Sequence, residues 1–446
     1  MSIIFKNWSQ TQSPDNAFND IVLENVSLPV IFFNLCRFLC NARQIILGNL
    51  STHLVPVMLS IRLTFGLFYL AVFLQASAYG LTFMLPDLFQ TFGANEKTVG
   101  YMLSITALST IITVYYSGHL SDLFGRIRTV GVGCLAIAIA LTSYCMASSV
   151  GGLLVIASLS LGFGWGITYA LAPIVLTGIV GDKQRITSFA LLSIAVMAGF
   201  GLSPVLASFL ISSGFGIRPA FHLTALFCLI SAMIFFVLRS SINAHTTATG
   251  PALQSSLSVA NIRQILASPA RLPVVMVCIG ASIFAGLNNF QTVFAGERGV
   301  HYADYFLIYT LTVVSFRLVL AKFKGGTNPY LTIALLQYIM FGSVVLFILS
   351  GGNVHLYWLF AFLFGIGYGV SYPALVAMAA NDAENTLFAQ TLQLFALTYF
   401  IGIFGFPLIA GWMIVEWGTF SLLILIAALA GLEPTMALCR AIFPKK

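Results

Sequence analysis

Apolar residues fill long stretches of this chain, and short polar or charged breaks separate them. The stretches lie near 58–85, 98–120, 128–148, 151–180, 186–211, 218–239, 272–296, 304–323, 330–350, 355–380, 386–411 and 417–439. Crossing a bilayer's hydrocarbon core takes about 20 apolar residues in a helix. No water is available there to satisfy a bare backbone, so such runs must form helices. The pattern predicts an all-α polytopic membrane protein with twelve transmembrane helices, called spans one to twelve.

The polar interval 240–271, SSINAHTTATGPALQSSLSVANIRQILASPAR, divides these spans six and six. It predicts a central cytoplasmic linker between a bundle over 58–239 and a second bundle over 272–446, which ends in a short tail. Residues 1–57 differ from the rest. A polar stretch is followed by LPVIFFNLCRFLCNARQIIL, an apolar run interrupted by Asn34, Arg37, Asn41 and Arg43. It starts late and lacks the basic-then-apolar order of a cleaved signal, so a cytoplasmic or interfacial extension is expected.

Charge orients the bundle. Only 7% of residues are charged and 59% are hydrophobic, and the net charge is +7. The basic residues sit at span ends rather than on one face, which excludes a nucleic-acid partner. With the N-terminus cytoplasmic, sixteen of the twenty lysines and arginines fall inside or at the cytoplasmic edge, while Lys97, Arg218 and Arg298 fall outside and Arg317 lies within span eight. That asymmetry predicts cytoplasmic termini in a plasma (inner) membrane protein. The seven cysteines lack metal or disulfide spacing, the six histidines are dispersed, and no nucleophile elbow, HExxH or phosphate loop occurs. No cofactor, metal or catalytic residue is expected. A membrane enzyme is the weaker class.

The two halves echo each other. GWGITY at 164–169 matches GYGVSY at 367–372, and GFGLSPVLAS at 199–208 matches GIFGFPLIAG at 402–411, both at an offset of 203. Two matches at one offset predict a duplicated six-helix unit whose copies run the same way across the membrane. Gly199, Pro204, Gly402 and Pro407 are the expected bend points of spans five and eleven, because proline removes a helix hydrogen bond and small residues permit close approach.

GHLSDLFGRIR at 118–128 concentrates charge where the chain otherwise has little. An ordinary basic loop accounts for Arg126 and Arg128 but not for Asp122 or the spaced Gly118 and Gly125. Together with the six-plus-six plan, this knot resembles the cytoplasmic signature of the major facilitator superfamily of secondary transporters, Gly-x-x-x-Asp-basic-x-Gly-basic-x-basic, with Leu123 in place of one basic residue. The resemblance covers residues 58–440. It implies a latch at the cytoplasmic side, in which Asp122 meets the end of span eleven and Arg126 meets Asp182. Spans five and eleven resemble the motif associated with exporters, with Ser203, Ala207 and Ser208 where glycines are expected. Ser158 stands where drug–proton antiporters often carry an arginine, and Gly325 replaces the second-half aspartate.

The resemblance also implies a substrate site near the midplane between the halves. Polar and aromatic side chains inside spans are the expected lining: Gln75 and Tyr79 in span one, Trp165 and Tyr169 in span four, Asn288, Asn289 and Gln291 in span seven, Tyr368 and Tyr372 in span ten, and Gln390 and Gln393 in span eleven. Aromatics with neutral amides suit a neutral or amphipathic solute. Arg62, Arg317 and Glu433 lie near span ends and are expected to snorkel, whereas Asp87 and His222 are candidate proton carriers. The expected protein is a monomeric secondary transporter of a small organic solute, an exporter in preference to an importer, with H+ as the candidate coupling ion.

Overall fold

A computed structural model describes residues 61–180, 185–245, 257–320 and 328–443, all within one compact unit, Met58–Lys446. Among the described residues there are only helices and their connections. Spans one to six are Ile61–Thr82, Glu96–Phe124, Arg126–Met146, Gly152–Ile179, Arg185–Ser212 and Arg218–His245. Spans seven to ten are Arg271–Asn289, Tyr302–Leu320, Pro329–Leu349 and Val354–Asp382. Span eleven begins with Phe388–Phe400, passes through a π-helical segment, Ile401–Gly405, and continues into the helix Phe406–Ile442.

That final stretch, Phe388–Ile442, forms 55 uninterrupted helical residues, so eleven continuous apolar segments are long enough to cross a membrane. At ~1.5 Å per residue it would be far longer than any bilayer is thick. Gly418, at φ 80° and ψ 164°, breaks it into the arms predicted as spans eleven and twelve. The sequence expectation of a loop near 412–416 is corrected to a single-residue kink, which glycine accommodates because it carries no Cβ. Gly125 does the same between spans two and three, at φ 85° and ψ 137°.

Span ends follow local chemistry. The side chains of Asn95, Asn328 and Asn353 accept hydrogen bonds from backbone N–H groups in the first turns of spans two, nine and ten, satisfying donors that a helix start leaves free. Span seven stops earlier than predicted. The Asn288 and Asn289 side chains bond back to the Phe284 and Ala285 carbonyls, at 2.8 and 3.0 Å, and the chain turns at Phe290 (φ −119°, ψ 17°). Gln291 therefore opens a separate short helix, Gln291–Arg298, instead of ending span seven. Within the polar interval 240–271, Val259–Ala267 is a short helix capped by Ser258.

The helices make two six-helix bundles of the same plan. Spans one and five, two and four, three and four, and three and six pack together in the first; seven and eleven, eight and ten, nine and ten, and nine and twelve pack in the second. The repeated glycines do the same work in both copies. Gly164 abuts span three and Gly166 abuts span two, while Gly367 abuts span nine and Gly369 abuts span eight. A methyl at Gly199 would lie 2.6 Å from the Phe73 carbonyl of span one, and one at Gly402 would lie 2.5 Å from the Cys278 carbonyl of span seven. These backbone approaches are closer than any side chain allows.

Candidate functional site

The bundles meet along two pairs of spans, two with eleven and five with eight. Near Phe83 the seam is closed. A methyl at Gly100 would sit 2.5 Å from the Pro407 carbonyl, Gly411 touches the Glu96 backbone, and Lys97 pairs with Glu416. The Phe83 ring stacks on Phe306 of span eight at 5.5 Å. Asp87, on the short helix Leu85–Gln90, sits against Thr292 of the second bundle, and burial holds its carboxyl above the usual carboxylate range. His222 is exposed.

The opposite end differs. His119, Asp122, Leu123, Gly125 and Arg128 are exposed and Arg126 is half-buried. Among the described residues, a methyl at Gly118 or Gly125 would meet nothing within 4 Å. Among the described residues Asp122 forms no ion pair; the single pair found is Lys97–Glu416. Asp182 lies outside the described residues.

Between these ends an aromatic column joins the bundles. The Tyr79 ring packs on Trp165 at 5.1 Å, on Phe200 at 4.5 Å and on Phe404 of span eleven at 5.6 Å. Trp165 leads to Tyr169, whose hydroxyl hydrogen-bonds the hydroxyl of Tyr372, the equivalent residue of the second copy. Tyr169 also stacks on Tyr399 at 5.9 Å and meets Phe400 edge-on at 4.7 Å. The repeat thus brings its two tyrosines together near the pseudo-symmetry axis. Tyr79 Oη and Gln75 Oε1 are buried with no hydrogen-bond partner among the described residues. Two unpaired polar atoms beside an aromatic wall can hold the polar group of an amphipathic solute.

Backbone gaps left by proline shape the same region. Pro204 cannot donate to the Phe200 carbonyl, and Gly80 comes against that carbonyl and Ser203. Pro373 likewise frees the Gly369 carbonyl, which accepts a hydrogen bond from Arg317 Nε at 3.0 Å. The Arg317 guanidinium also donates to the Ser193 hydroxyl of span five, across the bundle boundary. The snorkelling expected of Arg317 is therefore corrected: its side chain is 8% exposed and turned inward. The free carbonyl and the Ser193 hydroxyl hold it there more firmly than solvent at the span end could.

Glu433 is corrected in the same direction, being 1% exposed. It accepts a hydrogen bond from Gln337 Nε2 of span nine at 2.6 Å, and both border a small cavity of about 10 Å³ that reaches Tyr368, Ser371 and Tyr372. Gly280 on span seven leaves room for it, since a methyl there would lie 3.1 Å from Oε1. Arg62 is exposed, as expected of a span-end arginine.

The remaining predicted lining residues are spread out. Tyr368 stacks on Phe284 at 4.7 Å, and Phe284 reaches the column through Phe83 at 5.9 Å. Asn288 accepts from Tyr305 Oη at 3.4 Å, and Gln291 donates to Tyr357 Oη at 2.6 Å, so both bond within the second bundle. Gln390 and Gln393 are half-buried on Phe388–Phe400. Sequence reasoning missed Phe200, Phe404, Tyr399, Ser193 and Gln337. Only Gln337, an amide inside an apolar span, gave a signal that could have been used.

The Major Facilitator Superfamily profile matches residues 67–407. A relative, Multidrug resistance protein 2 of Bacillus subtilis (strain 168), is 24% identical over 316 residues, covering 68% of this chain and 76% of that protein. The human organic anion transporter MFSD10 (TETRAN) shares the fold at a TM-score of 0.63 and 14% identity, over 84% of this chain and 99% of that one. A POT family transporter, solved with a thioalcohol-conjugated peptide, does so at 0.68 and 15%, over 85% and 96%.

Proposed function

The chain belongs to the major facilitator superfamily of secondary transporters, and from that premise we propose that it exports small amphipathic organic solutes by alternating access, driven by an ion gradient with H+ as the coupling ion. The observation that carries the reading is the difference between the two ends of the seam. The Phe83 end is joined across the bundles by Gly100–Pro407 and Lys97–Glu416, whereas the Asp122 end leaves its charged knot exposed. With both termini cytoplasmic in the plasma (inner) membrane, as the lysine and arginine distribution favours, the protein is closed to the outside and open to the cytoplasm. An exporter loads its solute in that state. The aromatic column suits an amphipathic solute, and the bacterial multidrug relative supports the direction.

Gly118, Asp122, Gly125, Arg126 and Arg128 are then the latch that engages when the cytoplasmic side closes. Asp122 meets span eleven, and Arg126 meets Asp182. One monomer suffices, because a single chain supplies both bundles. The test is an untargeted solute profile inside and outside cells, wild type against Asp122→Asn at matched abundance. A solute depleted inside and enriched outside only with the wild type is the expected result; the reverse pattern would establish import. Full activity in Asp122→Asn would remove the latch.

A second reading concerns the solute's charge. Arg317 is buried close to the tyrosine pair and forms no ion pair among the described residues, which favours a solute carrying an anionic group. The same profile separates the readings by the charge of what moves.

A further inference from the structure

The cavity between spans seven, nine, ten and twelve contains a carboxyl group that the aromatic column does not use. Glu433 is 1% exposed and Gln337 is fully buried, both within membrane-spanning helices. A bare carboxylate at such a place needs a counter-charge, a full set of donors or a proton. Among the described residues no lysine, arginine or histidine lines the cavity, and its other titratable residues are Tyr368 and Tyr372. Among the described residues Glu433 forms no ion pair.

The hydrogen-bond count is short by one hydrogen. Gln337 Nε2 donates to Glu433 Oε1 at 2.6 Å. The two oxygens left over, Glu433 Oε2 and Gln337 Oε1, are both buried acceptors without a donor among the described residues. They belong to two side chains already joined by one bond. A hydrogen on Oε2, directed at the Gln337 oxygen, would satisfy both at once and close the eight-membered ring of a carboxylic acid paired with a primary amide. Turning the amide over cannot do this, because it only exchanges which oxygen goes unsatisfied. Without that hydrogen, the pair keeps a carboxylate oxygen and an amide oxygen that are buried and have no donor among the described residues.

We propose that Glu433 and Gln337 form a proton-binding site inside the second bundle, closed as an acid–amide ring when protonated and opened when the proton leaves. The ring ties span twelve to span nine. Loss of the proton turns the carboxylate toward the other polar residues that line the cavity among the described residues, Ser371, Tyr368 and Tyr372. Tyr372 is the partner of Tyr169 across the seam, so the state of the ring reaches the contact between the bundles through span ten. That this proton drives transport rests on the transporter reading above; that the site holds a proton does not.

The experiment uses the full chain in lipid nanodiscs, titrated by infrared spectroscopy in light and heavy water, for the wild type, Glu433→Gln and Gln337→Leu. Glu433→Gln rebuilds the ring as an amide–amide pair and should keep the wild-type melting temperature. The expected result is a deuterium-sensitive carboxylic-acid C=O band at neutral pH, absent in Glu433→Gln and displaced in Gln337→Leu. Identical acid regions in wild type and Glu433→Gln would overturn the site, as would carboxylate bands that move on adding Na+. A second arm drives ethidium into everted membrane vesicles with an imposed pH gradient. Gradient-driven movement should be lost in Glu433→Gln while ethidium exchange persists. Equal driven movement in that variant overturns the coupling role and leaves the transporter reading standing. A wild type that moves no ethidium, with the acid band intact, removes export of a cationic amphipathic solute from the reading above and leaves the proton site in place.

Discussion

Pro373 does its work through an atom it lacks. By removing one N–H it releases the Gly369 carbonyl, and Arg317 takes it at 3.0 Å while also donating to Ser193 of the other bundle. A hydrogen bond from a charged group contributes about 1.5–3 kcal/mol. Ser193→Ala is therefore expected to loosen the contact between spans five and eight and lower the melting temperature, with Arg317→Lys costing more. Lysine cannot reproduce the fork that holds two acceptors at once. A thermal melt of the purified protein checks both, and unchanged melts would mean that the cross-bundle bond carries no weight. At this scale the sequence was only partly legible. Gln75, Tyr79, Trp165, Tyr169 and Tyr372 stood out as polar or aromatic groups inside spans, and all five lie on or beside the column. Arg317 and Glu433 were misread because distance from a span end says nothing about which way a side chain turns. That depends on acceptors supplied by other helices, Gly369 and Ser193 for one and Gln337 for the other.

Glycine spacing set the elements, and here the sequence carried more. Runs of apolar length located all twelve spans, and the offset of 203 anticipated that Gly164 and Gly367, and Gly199 and Gly402, would pack alike. The pattern did not reveal the break at Phe290, because Asn288 and Asn289 end span seven through bonds to their own backbone. Nor did it reveal the π-helical turn Ile401–Gly405, which has no hydrophobic signature. The packing argument has a test within that turn. Gly402 faces the Cys278 carbonyl at 2.5 Å from a notional methyl, whereas Gly405 has its nearest neighbour at 4.0 Å. Gly402→Ala should destabilise the protein by about 1–3 kcal/mol, the usual cost of overpacking, and Gly405→Ala should be tolerated. Equal melting temperatures would show that spans seven and eleven can separate without loss.

The whole molecule is a pair of bundles joined firmly at one end of the seam, and two residues probe the two ends. At the joined end, Asp87 is held against Thr292 with its carboxyl raised by burial. A raised carboxyl favours the protonated, closed arrangement, so closure is strongest below the free-carboxyl value of 3.8 and weakens as pH climbs through the raised value. With Thr292→Cys as a reporter, labelling by an impermeant maleimide, taken relative to a freely exposed cysteine to cancel the rise in thiolate with pH, should increase with pH, and adding Asp87→Asn should flatten that relative increase. A flat profile with Asp87 present would remove the aspartate from the gate.

Gly118 probes the other end, and it separates the two conformations cleanly. In the conformation described a methyl there meets none of the described residues within 4 Å, and glycine inside a helix is about 0.5–1 kcal/mol less favourable than alanine. Gly118→Ala should therefore leave the melting temperature unchanged or slightly raised. If span two closes against the second bundle during transport, as the latch requires, the same methyl would obstruct that closure and transport would fall. A variant that is at least as stable yet slower can be explained only by a conformation other than this one. Loss of both stability and transport would mean that the glycine is needed here, against the open space around it. Unchanged transport would leave Gly118 outside the latch, and Asp122 would then have to act without it.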